Sequence, residues 1–339
     1  MKTVYICCPA SSYTGGPTLA HQLCYVLNQN GINAKMWYYC NPLKKNKIDP
    51  VHQNYKSLNN PYTLSNPIDS EDSVIVATES KTQLLWKYKK AHKFVWWMSV
   101  DNYYLNMVSL FDILKMKYRG FKPTLEYCKK YKNKKKYQAF RQSGVLHLVQ
   151  SEYAREFLLS EGIESDNIFS LTDYLEEEIL NSANKNAGER SNNTVLYNPK
   201  KGFEFTQKII ASSTDLDWKP LINMTKAEVS NALLTSRLYI DFGNHPGKDR
   251  FPREAAICGC CIITGKRGAA KNNIDIQIDQ KYKFDDVEEN IDKIVSTIRE
   301  ILSNYDTITK DFDAYREKIK KEKDAFVSEA LSVFSPFKD

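Results

Sequence analysis

The segment from Leu238 to Thr264 constrains the fold of this chain more than any other. It reads as a buried strand over 238–242, a loop carrying Lys248, Asp249 and Arg250, then a helix with Pro252 in its first turn and Gly259 past its end. A second apolar strand over 260–264 closes the unit. Proline suits a helix start because its missing N–H would be unpaired there anyway, and glycine suits the position after a helix end. The loop therefore lies at a helix N-terminus, where unpaired N–H groups and a partial positive charge favour an anion. Lys248 and Arg250 beside it make phosphate the natural guest. Glu254, in the first helical turn, repels phosphate and is placed to accept hydrogen bonds from sugar hydroxyls. A phosphate and a hydroxylated ring together suggest a nucleotide.

Strand and helix patterns alternate along the rest of the chain, which predicts an α/β fold with parallel sheets. Strands are expected over 4–8, 34–39, 73–77, 93–98 and 146–150, and helices over 17–30 and 153–160. The composition over 175–193 then turns polar and rich in Asn, Glu and Ser, which marks a link. A second series begins with a strand over 194–198. Thr225 to Glu228 has capping-box form and predicts a helix to 236. The tail from 291 is helical and charged, with Phe326, Ala330 and Val333 at helical spacing and in need of a surface to cover. At 339 residues the chain suits two cores. The expected domains are 1–175 and 194–315, with a linker over 176–193 and a C-terminal helix over 316–339 that crosses back to the first domain.

Hydrophobic residues make up 42% of the chain, yet no apolar run is long enough to span a membrane. The apolar start is too short for a signal peptide, and eight cysteines without an export signal suit reduced thiols in a cytoplasm. Cys258, Cys260 and Cys261 lack zinc-site spacing and read as core packing. The net charge is +7, concentrated between Lys115 and Arg141, where Glu126 is the single acidic residue. Tyr118, Phe121, Tyr127, Tyr131, Tyr137 and Phe140 interleave with the cations. Such a face suits an anionic membrane surface over 115–141, or a plain solvated helix pair, ahead of a nucleic-acid backbone.

Three further constellations bear on chemistry. Gly15 and Gly16 follow the first strand and open a helix, so a ligand can approach the backbone closely. Asn198, Lys200, Lys201 and Gly202 follow the first strand of the second half, at the kind of strand end where open α/β sheets bind ligands. Trp96 to Tyr103 brings Ser99, Asp101 and Asn102 out of a buried strand as a polar tip.

Together these residues resemble bacterial glycosyltransferases of the GT-B architecture, two Rossmann-like domains facing across a cleft. The strand–Gly-Gly–helix looks like their first-domain loop. The Lys201-Gly202 step and the segment 242–264 look like their donor loop, helix and Cys-Gly turn. The chain departs at Pro246, which stands where the first glutamate of their common pair falls, eight positions before Glu254. With its Gly-Gly-Pro, Trp-Trp-x-Ser-Val-Asp-Asn and His-Pro-Gly-Lys-Asp-Arg elements it resembles a divergent surface-polysaccharide branch, serving lipopolysaccharide or capsule.

The resemblance implies a nucleotide-sugar donor held by Gly15, Gly16, Asn198, Lys200, Lys201, His245, Lys248, Asp249, Arg250 and Glu254. Lys201 with Lys248 or Arg250 would replace a metal as counter-charge to the diphosphate, so neither metal nor cofactor is expected. The Asp-x-Asp pairs Asp215/Asp217 and Asp311/Asp313 read as surface. An inverting reaction needs a base in the first domain, Asp101 first and Glu79, after the strand 73–77, second. The acceptor is expected to be a glycan or lipid-linked glycan, and the location cytoplasmic, peripheral on the inner face of the plasma membrane. A nucleotide-sugar epimerase of the same architecture and a non-catalytic nucleotide-binding subunit are the rival readings.

Overall fold

The computed structural model describes residues 1–39, 49–104, 107, 109–117, 124, 125, 128, 131, 132, 134–185, 190 and 192–338. The chain forms two compact units, one of Met1–Gln150, Ala154–Thr172 and Phe326–Asp339, the other of Ser151–Tyr153 and Asp173–Ala325.

In the first unit, β1 (Thr3–Pro9), β2 (Ala34–Tyr39), β3 (Tyr62–Thr63), β4 (Ser73–Thr78), β5 (His92–Trp97), β6 (Val145–Val149) and β7 (Ile168–Ser170) form a parallel sheet. Its order is β3-β2-β1-β4-β5-β6-β7. The central strands are apolar throughout because both faces are covered: Val74, Ile75, Val76 and Ala77 are all buried. Helix α1 (Gly15–Gln29) covers one face with Leu19, Leu23 and Leu27, a stripe at i, i+4, i+8. The chain runs outward from β1 through β2 to β3, then returns to β4 on the other side of β1. That reversal makes β1/β4 the switch point where such sheets open a crevice at their carboxyl ends. After β5 come α2 (Val100–Tyr104) and α3 (Leu110–Lys117), and after β6 comes α4 (Glu152–Ser160).

In the second unit, β8 (Asn192–Tyr197), β9 (Trp218–Pro220), β10 (Ser236–Asp241), β11 (Cys261–Gly265) and β12 (Lys283–Phe284) are parallel in the order β12-β11-β10-β8-β9. Here the reversal falls between β8 and β10. The polar stretch read as a linker carries α5 (Glu177–Lys185). Ile179, Leu180 and Ala183 recur at helical spacing and pack on the core of this unit, so the helix forms despite its polar composition. The chain accordingly changes unit at Thr172–Asp173 and returns at Ala325–Phe326, where the sequence reading puts 175 and 316. Helices α6 (Phe203–Ala211), α7 (Lys226–Thr235), α8 (Arg250–Ile257), α9 (Ile291–Ser303) and α10 (Asp313–Lys320) follow their strands. The capping box at α7 is complete, with Thr225 Oγ1 accepting from Glu228 N and the Glu228 carboxylate from Thr225 N.

Helix α11 (Glu322–Phe334) carries the chain back into the first unit, where Phe326 stacks on Trp96 and Phe334 packs on Phe94. Its buried stripe is Phe326, Ala330 and Phe334, in place of the expected Val333. Val333, seven residues from Phe326, shares that face but is only half-buried, while Phe334 beside it is the residue that is covered.

Candidate functional site

Two strand-end loops of the second unit meet at the β8/β10 switch point. Asn198, just past β8, accepts from Lys200 N through Oδ1 at 3.0 Å and shapes the turn that presents Lys200 and Lys201. Gly202 then adopts φ +61°, and a Cβ there would lie 2.1 Å from Phe242 O. Across from it, a Cβ on Gly243 would stand 2.5 Å from Lys201 Cβ. The two glycines let the backbones of the β8 and β10 loops touch, a closeness no side chain permits.

That apposition brings a chain of charges together. Lys201 Nζ lies 2.8 Å from Asp249 Oδ2, and the same oxygen lies 2.9 Å from Nδ1 of His245. His245 Nε2 faces Asp241 Oδ1 at 3.8 Å. Asp241, at the end of β10, also accepts from Tyr239 Oη at 2.8 Å and from Gly243 N at 2.9 Å. Burial of the His245 ring opposes its charge, but Asp249 and Asp241 outweigh that and raise its pKa above the ordinary 6.5. Burial likewise opposes ionisation of Asp249, yet His245 and Lys201 hold its pKa below the usual carboxylate value. A third loop joins in: Ala269 N donates to His245 O at 2.8 Å, and Gly268, at φ +58°, packs against that carbonyl.

Asp249 occupies the cap position of α8, and Arg250 begins the helix. The Arg250 guanidinium is about one third exposed and lies 3.1 Å from Glu254 Oε1 and 3.5 Å from Glu176 Oε1. Glu254 thus holds Arg250, a contact set by their i, i+4 spacing.

Lys248 corrects the sequence reading. Its side chain is buried, with Nζ 2.7 Å from Glu322 Oε1 and 3.7 Å from Asp173 Oδ1. It belongs to an ion cluster centred on Arg253, which is 0% exposed. Arg253 binds Glu322 at 2.8 Å, Asp173, and the backbone carbonyls of Lys248 and Asp249. The reversal has a simple cause: the loop turns Lys248 inward toward two carboxylates distant in sequence, leaving Lys201 and Arg250 as the partly exposed cations.

The remaining polar pairs and thiols are structural. Asp215 pairs with Arg299, Asp217 accepts from Thr194, Asp311 binds Lys281 and Tyr282, and Asp313 binds Arg316. Burial pushes the Cys258, Cys260 and Cys261 thiols up to about 12, 11 and 12, which keeps them inert core groups.

In the first unit the candidate residues gather at the β1/β4 switch point and the neighbouring end of β5. Gly15 and Gly16 open α1, and among the described residues nothing beyond the adjoining backbone comes within 4 Å of a Cβ built on Gly15. Gly16 lies beside Met98, whose Sδ would be 3.5 Å from an added Cβ. Glu79, directly after β4, is 2% exposed and accepts from Met98 N at 3.1 Å. Burial raises its pKa to about 7, against hydrogen bonds from Met98, Ser99 and Asn102 that favour the charged form. Ser99 Oγ accepts from Asn102 N at 3.4 Å and serves as the cap of α2. Asp101 sits in the first turn, half-buried at the tip. Glu79 is thus spent on holding the tip, and Asp101 is carried on it.

The basic stretch is described only in part. Tyr118, Phe121 and Tyr127 lie outside the described residues. On α3, Leu110, Phe111 and Leu114 are exposed, and Lys115 Nζ lies over the Phe111 ring. Among the described residues no helix is long and apolar enough to cross a membrane.

Asp241, Tyr239, Arg253, Asp173, Glu322 and Glu176 join these groups without belonging to any motif of the sequence. Two of them leave a trace: Asp241 interrupts an apolar strand, and Arg253 falls on the buried face of α8 among Pro252, Ala256 and Ile257.

No protein-family model and no curated protein sequence matches the chain. Solved structures do. Anabaena Alr3699/HepE, crystallised with UDP-glucose, is 9% identical with a TM-score of 0.61, over 99% of this chain and 100% of that one. Sucrose-phosphate synthase from Thermosynechococcus elongatus is 10% identical with a TM-score of 0.59, over 99% of both chains. The lipopolysaccharide outer core galactosyltransferase WaaB is 13% identical with a TM-score of 0.53, over 99% of this chain and 100% of that one. At such identities the likeness establishes the fold: this chain has the GT-B fold.

Proposed function

We propose that the chain is a glycosyltransferase that moves a sugar from a nucleoside-diphosphate donor to a glycan or lipid-linked glycan in bacterial surface polysaccharide synthesis. The observation that carries this is the junction of Lys201, Asp249 and Arg250 at the switch point of the second unit. Two partly exposed cations and a helix N-terminus there suit a diphosphate. Structural neighbours solved with UDP-glucose or named as sugar transferases support the class of donor. Lys201 and Arg250 supply the counter-charge for the departing nucleotide, so the reaction needs no metal. Asp101 is the general base if the reaction inverts, because Glu79 is engaged behind it and Ser99 already caps the helix. The exposed Leu110, Phe111 and Leu114, beside the basic stretch, support a peripheral seat on an anionic membrane at the cytoplasmic face.

The test is transfer from a panel of nucleotide sugars to lipid-linked or free glycan acceptors, alongside donor binding. Asp101→Asn should lower transfer by about 10²–10⁴ while leaving donor affinity within a few-fold. Nucleotide sugar consumed and isomerised without any acceptor would point to an epimerase, and near-normal transfer by the Asn variant would remove Asp101 from the role of base.

A further inference from the structure

His245 ties strand-end loops of the second unit together. Its carbonyl accepts from Ala269 N in the loop after β11, its Nδ1 meets Asp249 at the start of α8, and its Nε2 faces Asp241 at the end of β10. Through Asp249 it reaches Lys201 in the loop after β8. The ring is 0% exposed, so water does not compete for either nitrogen. A neutral imidazole has one nitrogen that only accepts, and either choice of tautomer would set that lone pair against a carboxylate. Neither contact is aligned as a hydrogen bond, so the attraction is one of charge. Both carboxylates therefore select the doubly protonated ring.

We propose that His245 is a buried imidazolium that acts as a positioning residue for the donor. It shares Asp249 with Lys201, whose Nζ lies 2.8 Å from the same oxygen, so that the group as a whole carries no net negative charge to repel the diphosphate of a nucleotide sugar. In this state two cations balance two carboxylates. Loss of the imidazolium proton leaves the same four groups with one net negative charge, which repels the diphosphate. The groups facing the ring are Asp241 from β10, Asp249 from the start of α8 and Lys201 beyond it; Lys201 opposes the proton and the two carboxylates hold it. Donor affinity should therefore fall as pH rises through the titration of His245. A unit charge several ångströms from the phosphates, in partly buried surroundings, is worth roughly ten- to thirtyfold in affinity. The inference rests on the nucleotide-sugar reading and assigns a residue role within that site.

The experiment measures UDP-glucose, GDP-mannose and ADP-glucose binding by calorimetry from pH 6 to 8.5, a range in which their diphosphate diesters do not titrate. Imidazole ¹⁵N spectra of the whole chain, with His245→Asn for assignment, follow the ring directly. The expected result is two protonated nitrogens on His245 at pH 6.5, and donor affinity that drops about tenfold or more as the ring loses its proton. His245→Asn should bind weakly and without that pH dependence. Asp249→Asn keeps a test open if the first variant does not fold, since it should move the ring titration and the affinity change to lower pH together. A neutral His245 ring at pH 6.5, or donor affinity that stays level while the ring titrates, overturns the proposal. If no sugar nucleotide binds at any pH, the nucleotide-sugar reading fails, and the spectra still report whether the ring is charged.

Discussion

Lys201 shows what a residue's neighbours in sequence can and cannot reveal. An apolar run ending in Asn-Pro-Lys-Lys-Gly announces a strand and a tight polar turn, and the turn is where parallel sheets expose their ligand sites. The requirement for Gly202 is local in cause but distant in partner, because the clash it avoids is with Phe242 O. Lys201 is therefore legible in the sequence and Asp241 is not. Lys248 and Arg250, two cations flanking one aspartate, are equivalent in the sequence alone. Only the path of the loop, which buries one against Glu322 and leaves the other partly exposed, separates them. Lys201→Ala should cost on the order of 1.5–3 kcal/mol in nucleoside-diphosphate binding, the usual worth of a hydrogen bond to a charged group. Binding of the parent nucleoside should barely change. Calorimetry with both ligands separates the two cases, and equal losses would mean that Lys201 acts through folding.

Among the elements, the long ones were legible and the short ones were not. Strands β1, β2, β4, β5, β6, β8, β10 and β11 are apolar runs bounded by polar turns, and the Thr225–Glu228 cap marks α7 to the residue. Strands β3, β7, β9 and β12 span two or three residues, too few to show a period. Helix α8 carries a further lesson in the cost of buried charge. Arg253 is a cation on its apolar face, a pattern that by itself predicts instability. It is tolerated because Asp173 and Glu322 enclose it, one near each place where the chain changes unit. Removing one member of a buried ion group leaves the others uncompensated, which typically costs about 3–5 kcal/mol. Arg253→Ala should therefore lower the stability of the second unit by about that amount. Urea unfolding monitored at Trp218, in a variant whose other tryptophans are replaced by Phe, would read it. A loss below about 1 kcal/mol would mean that water reaches the two carboxylates and that the cluster is not a structural keystone.

For the whole molecule, alternation of strands and helices was enough to predict parallel sheets, but strand order was beyond it. Order depends on which edge each returning strand joins, a choice made by pairing between residues far apart in sequence. The two reversals, at β1/β4 and β8/β10, gather Gly15, Gly16 and Glu79 in one unit and Lys201, His245 and Asp249 in the other. Glu79 also links its site to the stability of the fold. Its pKa in the folded chain, about 7, is raised above the ordinary 4.5 by burial. A carboxyl so raised contributes stability that is full below pH 4.5 and is lost as pH rises through about 7. His21 and His147 act in the opposite sense, because burial lowers their pKa values to about 4, so their contribution is lost as pH falls from 6.5. The total pH profile therefore mixes both, and only a difference between variants isolates Glu79. Glu79→Gln keeps an oxygen to accept from Met98 N and cannot ionise. Wild type minus variant should show a stability difference that moves against the wild type by roughly 3 kcal/mol between pH 4.5 and 7.5, at about 1.4 kcal/mol per pKa unit. Trp37, Trp86, Trp96 and Trp97 all lie in the first unit, so tryptophan fluorescence during urea unfolding reports chiefly on it. A difference that stays constant across that range would mean that Glu79 remains ionised at acid pH, held by the N–H groups of the α2 tip strongly enough to overcome its burial.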